Sequence, residues 1–446
     1  MSKFEVAYLP IGVPTFHLES AQKEFEKSCG LLNELSEDAV CPKEMLLSME
    51  KLRAFCDTVH PGLVIIQNIT FANSAYVSEI LRRFTCPVLL WTLREPVIDG
   101  GRLRLNSLTG AYSAANALHA FGLTRFQYVF GSPEEMEVRK KISSSIRAAK
   151  LKAEMRELKM VSVGHTPQGF GFGRGLDSEM MANFGVTLES IEVRELIDRA
   201  KSYTDEECAG FLARASKAMK GLEGTPEKNR LDFARLYKAY SDYVSENGIG
   251  ALSSRCWPDF FTAFGTPVCA VLAMLNDCLI PSSCEADTYG ALSMYLGTRL
   301  TGKPTFFGDP VSLDESENTI TYWHCGTAAC SLANKKTGAQ VGVHCNRNIG
   351  PTLEFGCAPC EAVTVLRIGR KPDGSFRMFL MKGKALDKPK QFNGTSVVVQ
   401  TEGNAKEVVS RSVKDGWEPH FVVAYGDVTA EITALADMLG MDLNVY

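Results

Sequence analysis

The sequence predicts an α/β fold in which two doubly wound parallel-sheet domains are followed by a β-rich, barrel-like C-terminal domain. In the larger, N-terminal part of the chain, short apolar runs alternate with longer amphipathic segments, and the alternation begins anew at Met160. After Gly302, short strand-like stretches separated by Gly, Pro and Asp dominate. Strand–helix alternation is typical of parallel sheets, whereas closely spaced short strands are typical of barrels. We therefore predict three domains, at residues 1–156, 157–301 and 302–446.

The first domain is predicted from apolar strands that alternate with amphipathic helices. Leu63–Gln67 is a run of apolar residues bounded by Pro-Gly and Asn, which is the pattern of a buried strand. The same pattern predicts further strands at Phe4–Pro10, Pro87–Thr92 and Phe126–Phe130. Helices are expected at Leu18–Leu35, Asn73–Arg83 and Ser113–Phe121, and in a long charged segment that ends near Leu158.

The second domain repeats this alternation and contains a glycine-rich loop. Strands are predicted at Met160–Gly164 and Thr187–Val193, and helices at Asp177–Phe184, Asp205–Met219, Pro226–Asn247 and Gly265–Asp277. The loop QGFGFGRGLD follows a strand and precedes a helix, but the third glycine of a dinucleotide fingerprint would fall on Arg174 or Leu176. A dinucleotide site is therefore not expected there.

The C-terminal domain is expected to consist almost entirely of strands. They are predicted at Thr305–Phe307, Thr319–His324, Val341–His344, Ala362–Ile368, Arg377–Lys384, Thr395–Val399 and Phe421–Tyr425. A helix near Thr429–Leu439 is predicted to follow the last strand.

The composition argues against two classes of binding partner, nucleic acids and membranes. The chain has 446 residues, a net charge of −4 and no basic excess, which argues against a general nucleic-acid binder. No apolar run approaches the about 20 residues that a membrane span needs, and the first residues lack the apolar core of a signal peptide. We therefore expect a cytoplasmic protein without nucleic-acid or membrane partners. The 14 cysteines fit a reducing compartment.

Two acids and two histidines are the candidate chemical groups. Glu285 lies at the start of a predicted helix, where an acid often serves as a cap, and Asp309 precedes a proline, where an Asp is often a turn residue. His324 ends one predicted strand and His420 begins another, and either is compatible with a purely structural role. If these four side chains converge, they offer the carboxylates and imidazole that a divalent metal such as Mn²⁺ accepts.

Several segments resemble the L-fucose/L-arabinose isomerase superfamily, and in particular its shorter fucose-isomerase-like members, which include sulfoquinovose isomerases. The segments are AYLPIG, LVIIQNITFANSAYVSEILRRFTCPVLLW, LRLNSLTGAYSAANALHAFG, CEADTYGALSM, FFGDPVSLDESENTITYWHCG and GWEPHFVVAYGDV. They cover essentially the whole chain in the order of the family. The resemblance implies that Glu285, Asp309 and His420 bind a divalent metal, most readily Mn²⁺, and that His324 lies beside it, either supporting the metal ligands or contacting the substrate. It also implies a homo-oligomer, with an active site that neighbouring subunits share.

The implied reaction is aldose–ketose (ketol) isomerisation, an intramolecular oxidation and reduction. A metal that chelates the oxygens on C1 and C2 stabilises the enediolate. Glu285 and Asp309 would then serve both as ligands and as the base and acid that move the proton. The order of base and acid stays open, and a hydride shift between C1 and C2 is the alternative route.

The substrate is expected to be a deoxyhexose or pentose such as L-fucose or arabinose, with sulfoquinovose as the alternative. A sulfonated sugar needs a cationic pocket, for which Arg174, Arg255 and His165 are candidates. Trp257 is a candidate for packing against the face of the sugar, although core packing explains it equally well.

Two further alternatives come from other classes of protein. Consecutive α/β domains also suit a non-catalytic cytosolic sugar-binding protein. A structural zinc site is the second alternative, suggested by a group of cysteines in the C-terminal domain. Its members are Cys325, Cys330, Cys345, Cys357 and Cys360.

Overall fold

The computed structural model describes residues 4–446, and the chain divides into two compact units. The first unit comprises the chain up to Glu154 together with Ala430–Gly440, and the second comprises Met155–Thr429 together with Met441–Tyr446. The parallel-sheet α/β regions and the C-terminal barrel that the sequence predicts are confirmed. Within residues 4–446, every helix is too short or too polar to cross a bilayer.

The first unit is built on a five-stranded parallel sheet with the order β2-β1-β3-β4-β5. Its strands are β1 (Val6–Ile11), β2 (Ala39–Val40), β3 (Leu63–Asn68), β4 (Val88–Thr92) and β5 (Gln127–Phe130). Alternate residues of β1 and β3 enter two separate apolar clusters, because successive side chains of a strand point to opposite faces. Helices cover both faces: α1 (Leu18–Leu35), α2 (Met49–Cys56), α3 (Ser74–Arg83), α4 (Ser107–Ala120) and α5 (Met136–Met155).

The second unit begins with a four-stranded parallel sheet of order β7-β6-β8-β9. Its strands are β6 (Lys159–Val163), β7 (Thr187–Ile191), β8 (Ala251–Ser254) and β9 (Ser282–Cys284). β8 and β9 are absent from the predicted strands because they are short and rich in buried serine, so they lack an apolar run. The helices of this region are α6 (Asp177–Phe184), α7 (Val193–Ser202), α8 (Asp205–Ala218), α9 (Glu227–Asn247), α10 (Cys269–Asp277) and α11 (Thr288–Thr301).

A six-stranded barrel follows in the same unit. Six strands close on themselves in the order β16-β11-β10-β17-β14-β15, because β15 also pairs with β16. The strands of this sheet are β10 (Phe306–Asp314), β11 (Thr319–His324), β12 (Gln340–Gly342), β13 (Thr352–Gly356), β14 (Cys360–Arg370), β15 (Phe376–Ala385), β16 (Thr395–Thr401), β17 (Phe421–Ala424) and β18 (Asp442–Val445). β12 and β13 extend the sheet from β16, and β18 pairs in parallel with β15.

Two helices lie near the end of the chain, α12 (Ala405–Lys414) and α13 (Thr429–Leu439). Most of α13 belongs to the first unit, where Asp437 accepts a hydrogen bond from Gln127 at 2.9 Å and Glu431 pairs with Arg147. The C-terminal region therefore contributes to both units, which its strand-rich sequence does not indicate.

Candidate active site

The turn between β9 and α11 presents Glu285. Glu285 and Ala286 both have positive φ angles, 60° and 55°, a region that non-glycine residues rarely adopt. The next residue, Asp287, caps α11 by accepting a hydrogen bond from the backbone N–H of Gly290 at 2.8 Å. β8 and β9 end side by side, with Ser254 opposite Cys284, so the turn emerges at the carboxyl edge of the sheet. Strained backbone of this kind is concentrated at functional sites.

Asp309 lies inside β10 and not in the turn that its position before proline suggested. It pairs with Trp323 of β11, and the register shifts directly after Pro310. The preceding Gly308 lies so close to β11 that an added Cβ would be 2.5 Å from the carbonyl oxygen of Trp323. The β-bulge re-aims the strand at this point, which is a common way of directing a side chain into a site.

His420 connects the two acids. It is buried just before β17, and its Nε2 lies 2.9 Å from Oε2 of Glu285 and 3.5 Å from Oδ1 of Asp309. Its Nδ1 lies 2.8 Å from Oδ2 of Asp287. Burial opposes protonation of the ring, but hydrogen bonds to Asp287 and Glu285 outweigh it and raise the pKa of His420. The structure therefore brings together the three residues that the sequence named as metal ligands.

A buried ion pair fixes Asp287. Nη1 of Arg367, in β14, lies 2.7 Å from Oδ2 of Asp287 and also donates to the carbonyl oxygen of His420 at 3.0 Å. Both side chains are 1% exposed. Burial disfavours the carboxylate, but the Arg367 charge and the His420 hydrogen bond hold the pKa of Asp287 well below its usual range. Asp287 is therefore an ionised acceptor that orients the imidazole of His420.

The two acids of the site have different environments. Burial disfavours ionisation of both, yet the hydrogen bond with His420 lowers the pKa of Glu285 below its ordinary value. Glu285 also accepts a hydrogen bond from Nε1 of Trp257 at 3.1 Å. For Asp309 burial prevails over the nearby histidines, and its pKa is raised.

His324 lies close enough to Glu285 and His420 to be a ligand of the same metal ion. One ring nitrogen of His324, one of His420 and a carboxylate oxygen of Glu285 all lie within 4.8 Å of one another. Burial disfavours the charged ring of His324, but neighbouring Cys325 and the two acids raise its pKa to about 10. The arrangement fits a divalent metal: carboxylates and imidazoles are suitable donors, and a carboxylate behind the imidazole, here Asp287, is typical of metal-binding histidines.

Glu285, Asp309 and His324 line a cavity of about 220 Å³. Its lining residues are Trp257, Glu285, Asp309, Trp323, His324, Cys325, His344, Cys345, Asn346 and Arg347. Among them, Arg347 alone carries a guanidinium or ammonium group. That group lies over the rings of Trp257 and Phe261, 5.4 Å and 4.9 Å from their centroids. The cavity wall therefore carries two carboxyl groups, two imidazoles and one guanidinium group.

The other predicted cations lie elsewhere. Arg174 and His165 line a second cleft of about 720 Å³ at the carboxyl ends of β6 and β7. Arg255 is held by Asp259 at 2.7 Å and lies 2.9 Å from Nε2 of His165. Trp257, in contrast, does line the first cavity.

Three functional candidates in this region were not predicted from the sequence. Asp287 was hidden as a helix cap two residues after Glu285, and Arg347 lies in a loop without a recognisable motif. Arg367 interrupts an apolar strand, and that was a usable signal, because a charged residue in a buried strand requires a partner.

The cysteines group differently from the sequence expectation. Cys325 belongs to groups of potential metal ligands with Cys269, Cys284, His324 and His344. Within residues 4–446, no such group contains Cys330, Cys345, Cys357 or Cys360.

Comparison with known proteins adds independent information. The chain matches no protein-family model. It is 70% identical over 446 residues to a sulfoquinovose isomerase of Clostridium sp. (strain MSTE9), and the match covers 100% of both chains. It is 36% identical over 450 residues to a sulfoquinovose isomerase of Priestia aryabhattai, again with 100% of both chains covered. A sulfoquinovose isomerase of Alkalicoccus urumqiensis is 35% identical over 442 residues, 98% of each chain.

Proposed function

Because the chain belongs to the family of the sulfoquinovose isomerases and is therefore an aldose–ketose isomerase, we propose that it converts sulfoquinovose, a glucose with a sulfonate on C6, into the corresponding 2-ketose. The relatives favour this alternative over L-fucose or arabinose. Membership of the wider L-fucose/L-arabinose isomerase superfamily stays a prediction. The observation that carries the proposal is one cavity lined by Glu285, Asp309, His324 and Arg347.

We propose that Glu285, Asp309 and His420 hold a divalent metal, with Mn²⁺ as the first choice and His324 as the alternative third ligand. The contacts of His420 Nε2 with both acids support this set. When bound, such a metal polarises the sugar oxygens on C1 and C2 as a Lewis acid. Asp287 keeps the imidazole of His420 in the orientation that aims Nε2 at the site.

The reaction needs proton transfer at two carbons. Converting the aldose removes a proton from C2, delivers one to C1 and transfers the hydroxyl proton on O2 to O1, so the molecule undergoes no net oxidation. Glu285 and Asp309 are the carboxyl groups that line the cavity, and we propose that they exchange these protons with the substrate. The opposite pKa directions of the two acids support a division of roles between them.

We propose that Arg347 binds the sulfonate. A guanidinium presents donors in a planar fork that suits tetrahedral oxyanions, and the rings of Trp257 and Phe261 fix its plane. This assignment replaces Arg174 and Arg255, because neither lines the cavity that contains the acids.

The test is a Mn²⁺-replete assay of ketose formation from sulfoquinovose, D-glucose, L-fucose and arabinose, with EDTA as a control. We expect EDTA-sensitive turnover of sulfoquinovose. In Arg347→Gln, kcat/KM for sulfoquinovose should fall by about 10- to 100-fold, because hydrogen bonds to charged groups contribute about 1.5–3 kcal/mol. The matched control is Arg174→Gln, which should stay near the wild-type value.

Two outcomes would contradict the proposal. Preferred turnover of an unsulfonated sugar would remove sulfoquinovose as the substrate. If Arg347→Gln lowered kcat/KM for sulfoquinovose and for D-glucose by the same factor, Arg347 would not be the residue that binds the sulfonate.

A further inference from the structure

A second cluster of potential ligands lies next to the active-site cavity, and its donors are mainly sulfur. Cys269 is the first residue of α10, and Cys325 directly follows β11. Both thiols are buried, and their Sγ atoms lie 3.9 Å apart. A ring nitrogen of His344 lies within 4.8 Å of both sulfur atoms. Three elements that are distant in sequence therefore converge on one point.

We propose that Cys269, Cys325 and His344 form a binding site for a thiophilic metal ion of the Zn²⁺ or Cd²⁺ type, separate from the site at Glu285 and His420. Two sulfur ligands at about 2.3 Å from a tetrahedral Zn²⁺ are about 3.8 Å apart, which matches the observed Sγ–Sγ distance. Binding replaces the proton of each thiol by the metal and releases both protons to solvent, so no oxidant is required.

The surroundings supply access and a fourth ligand position. Cys325 and His344 also line the 220 Å³ cavity, so an ion can reach the sulfur atoms through it. Cys284 groups with Cys325 and His324 and not with Cys269 and His344. The fourth position can therefore be taken by water from the cavity.

The two sites differ in the metals they prefer. Thiolates select soft or borderline ions such as Zn²⁺, whereas carboxylates suit Mn²⁺ and Mg²⁺. Occupation of the sulfur site places a cation in the cavity wall that Cys325 and His344 share with Glu285 and Asp309. We therefore expect low concentrations of Zn²⁺ or Cd²⁺ to inhibit the Mn²⁺-loaded enzyme, and excess Mn²⁺ not to relieve the inhibition.

The experiment is a titration of the reduced, metal-free full-length protein with Cd²⁺, followed by the ultraviolet charge-transfer absorbance of cadmium–thiolate bonds. We expect one equivalent to bind. Cys269→Ala should weaken binding by at least about tenfold, because loss of a residue that merely supports a ligand already costs about 10- to 100-fold in metal affinity. His344→Gln should weaken it while leaving the thiolate absorbance at saturation unchanged.

Two controls separate this site from the rest of the protein. Cys208→Ala removes a buried thiol outside the cluster and should bind Cd²⁺ like the wild type. Glu285→Gln disrupts the carboxylate site and should retain the full absorbance change. Absence of the signal in the wild type, or an unchanged affinity in both folded Cys269→Ala and His344→Gln, would overturn the proposal. Because the readout is absorbance, it does not depend on which sugar the enzyme converts.

Discussion

At the scale of single residues, the contact between Asp287 and His420 fixes the orientation of the His420 imidazole in the site. Asp287 accepts from Nδ1 of the buried imidazole at 2.8 Å, which leaves Nε2 facing Glu285 and Asp309. Arg367 keeps the Asp287 carboxyl ionised. Asp287 touches none of the cavity, so it is a positioning residue and its contribution should appear in metal affinity.

We predict that Asp287→Asn weakens Mn²⁺ binding by about 10- to 100-fold, the usual effect of removing the carboxylate behind a ligand histidine. Asparagine keeps the size of the side chain and an oxygen for the α11 cap, and Glu418 remains 3.6 Å from Arg367 as a counter-charge, so the fold should be retained at lower stability. The dissociation constant is measured from the electron paramagnetic resonance signal of free Mn²⁺. Asp314→Asn, at the far end of the strand that carries Asp309, is the matched control and should bind Mn²⁺ normally. Wild-type affinity in Asp287→Asn would refute the positioning role.

Single residues also show what the sequence could and could not predict. Glu285, Asp309 and His420 could be named from the sequence because the segments that carry them resemble a known family, and the structure brings them together. The partnership of Arg367 and Asp287 could not, since it joins residues 80 positions apart. Long-range pairing of this kind follows from the packing of β14 against α11, about which a local sequence pattern carries no information.

At the scale of elements, Arg367 connects a barrel strand to a helix of the preceding α/β region. It projects from β14 to the N-terminus of α11 and to the carbonyl oxygen just before β17. Arg370 lies three residues later in the same strand, but its pair with Glu179 is partly exposed. One strand therefore offers a buried and an exposed ion pair for comparison.

We predict that Arg367→Met lowers the free energy of unfolding by about 3–5 kcal/mol, because it leaves the Asp287 carboxylate buried without its counter-charge. Arg370→Met should cost no more than about 1 kcal/mol, since solvent screens the exposed pair. Urea denaturation followed by circular dichroism measures both values. Equal losses in the two variants would mean that burial does not decide the strength of these pairs.

The predicted bounds agree with the observed bounds where a single sequence pattern covers the whole element. Leu63–Gln67 was predicted within one residue of the observed strand because every side chain in it is buried. β8 and β9 were missed because buried serines hide their strand character, and β10 was predicted too short because its outer half is exposed. The short strands β2, β13 and β18 were also missed, so local sequence patterns were weakest for short strands and for strands without an apolar run.

At the scale of the whole molecule, the candidate site joins two layers of the second unit. Glu285 comes from the carboxyl edge of the four-stranded parallel sheet, whereas Asp309 and His420 come from the barrel. Both layers belong to one compact unit. A metal held by all three residues therefore links segments whose association is lost on unfolding.

We predict that Mn²⁺ stabilises this unit against thermal unfolding and that EDTA reverses the effect. A ligand that binds only the folded state contributes about 2.7 kcal/mol at a free concentration 100-fold above its dissociation constant. Calorimetry with and without Mn²⁺ should show a higher transition temperature for the wild type and none of this increase for Glu285→Gln. A retained increase in Glu285→Gln would locate the stabilising ion elsewhere.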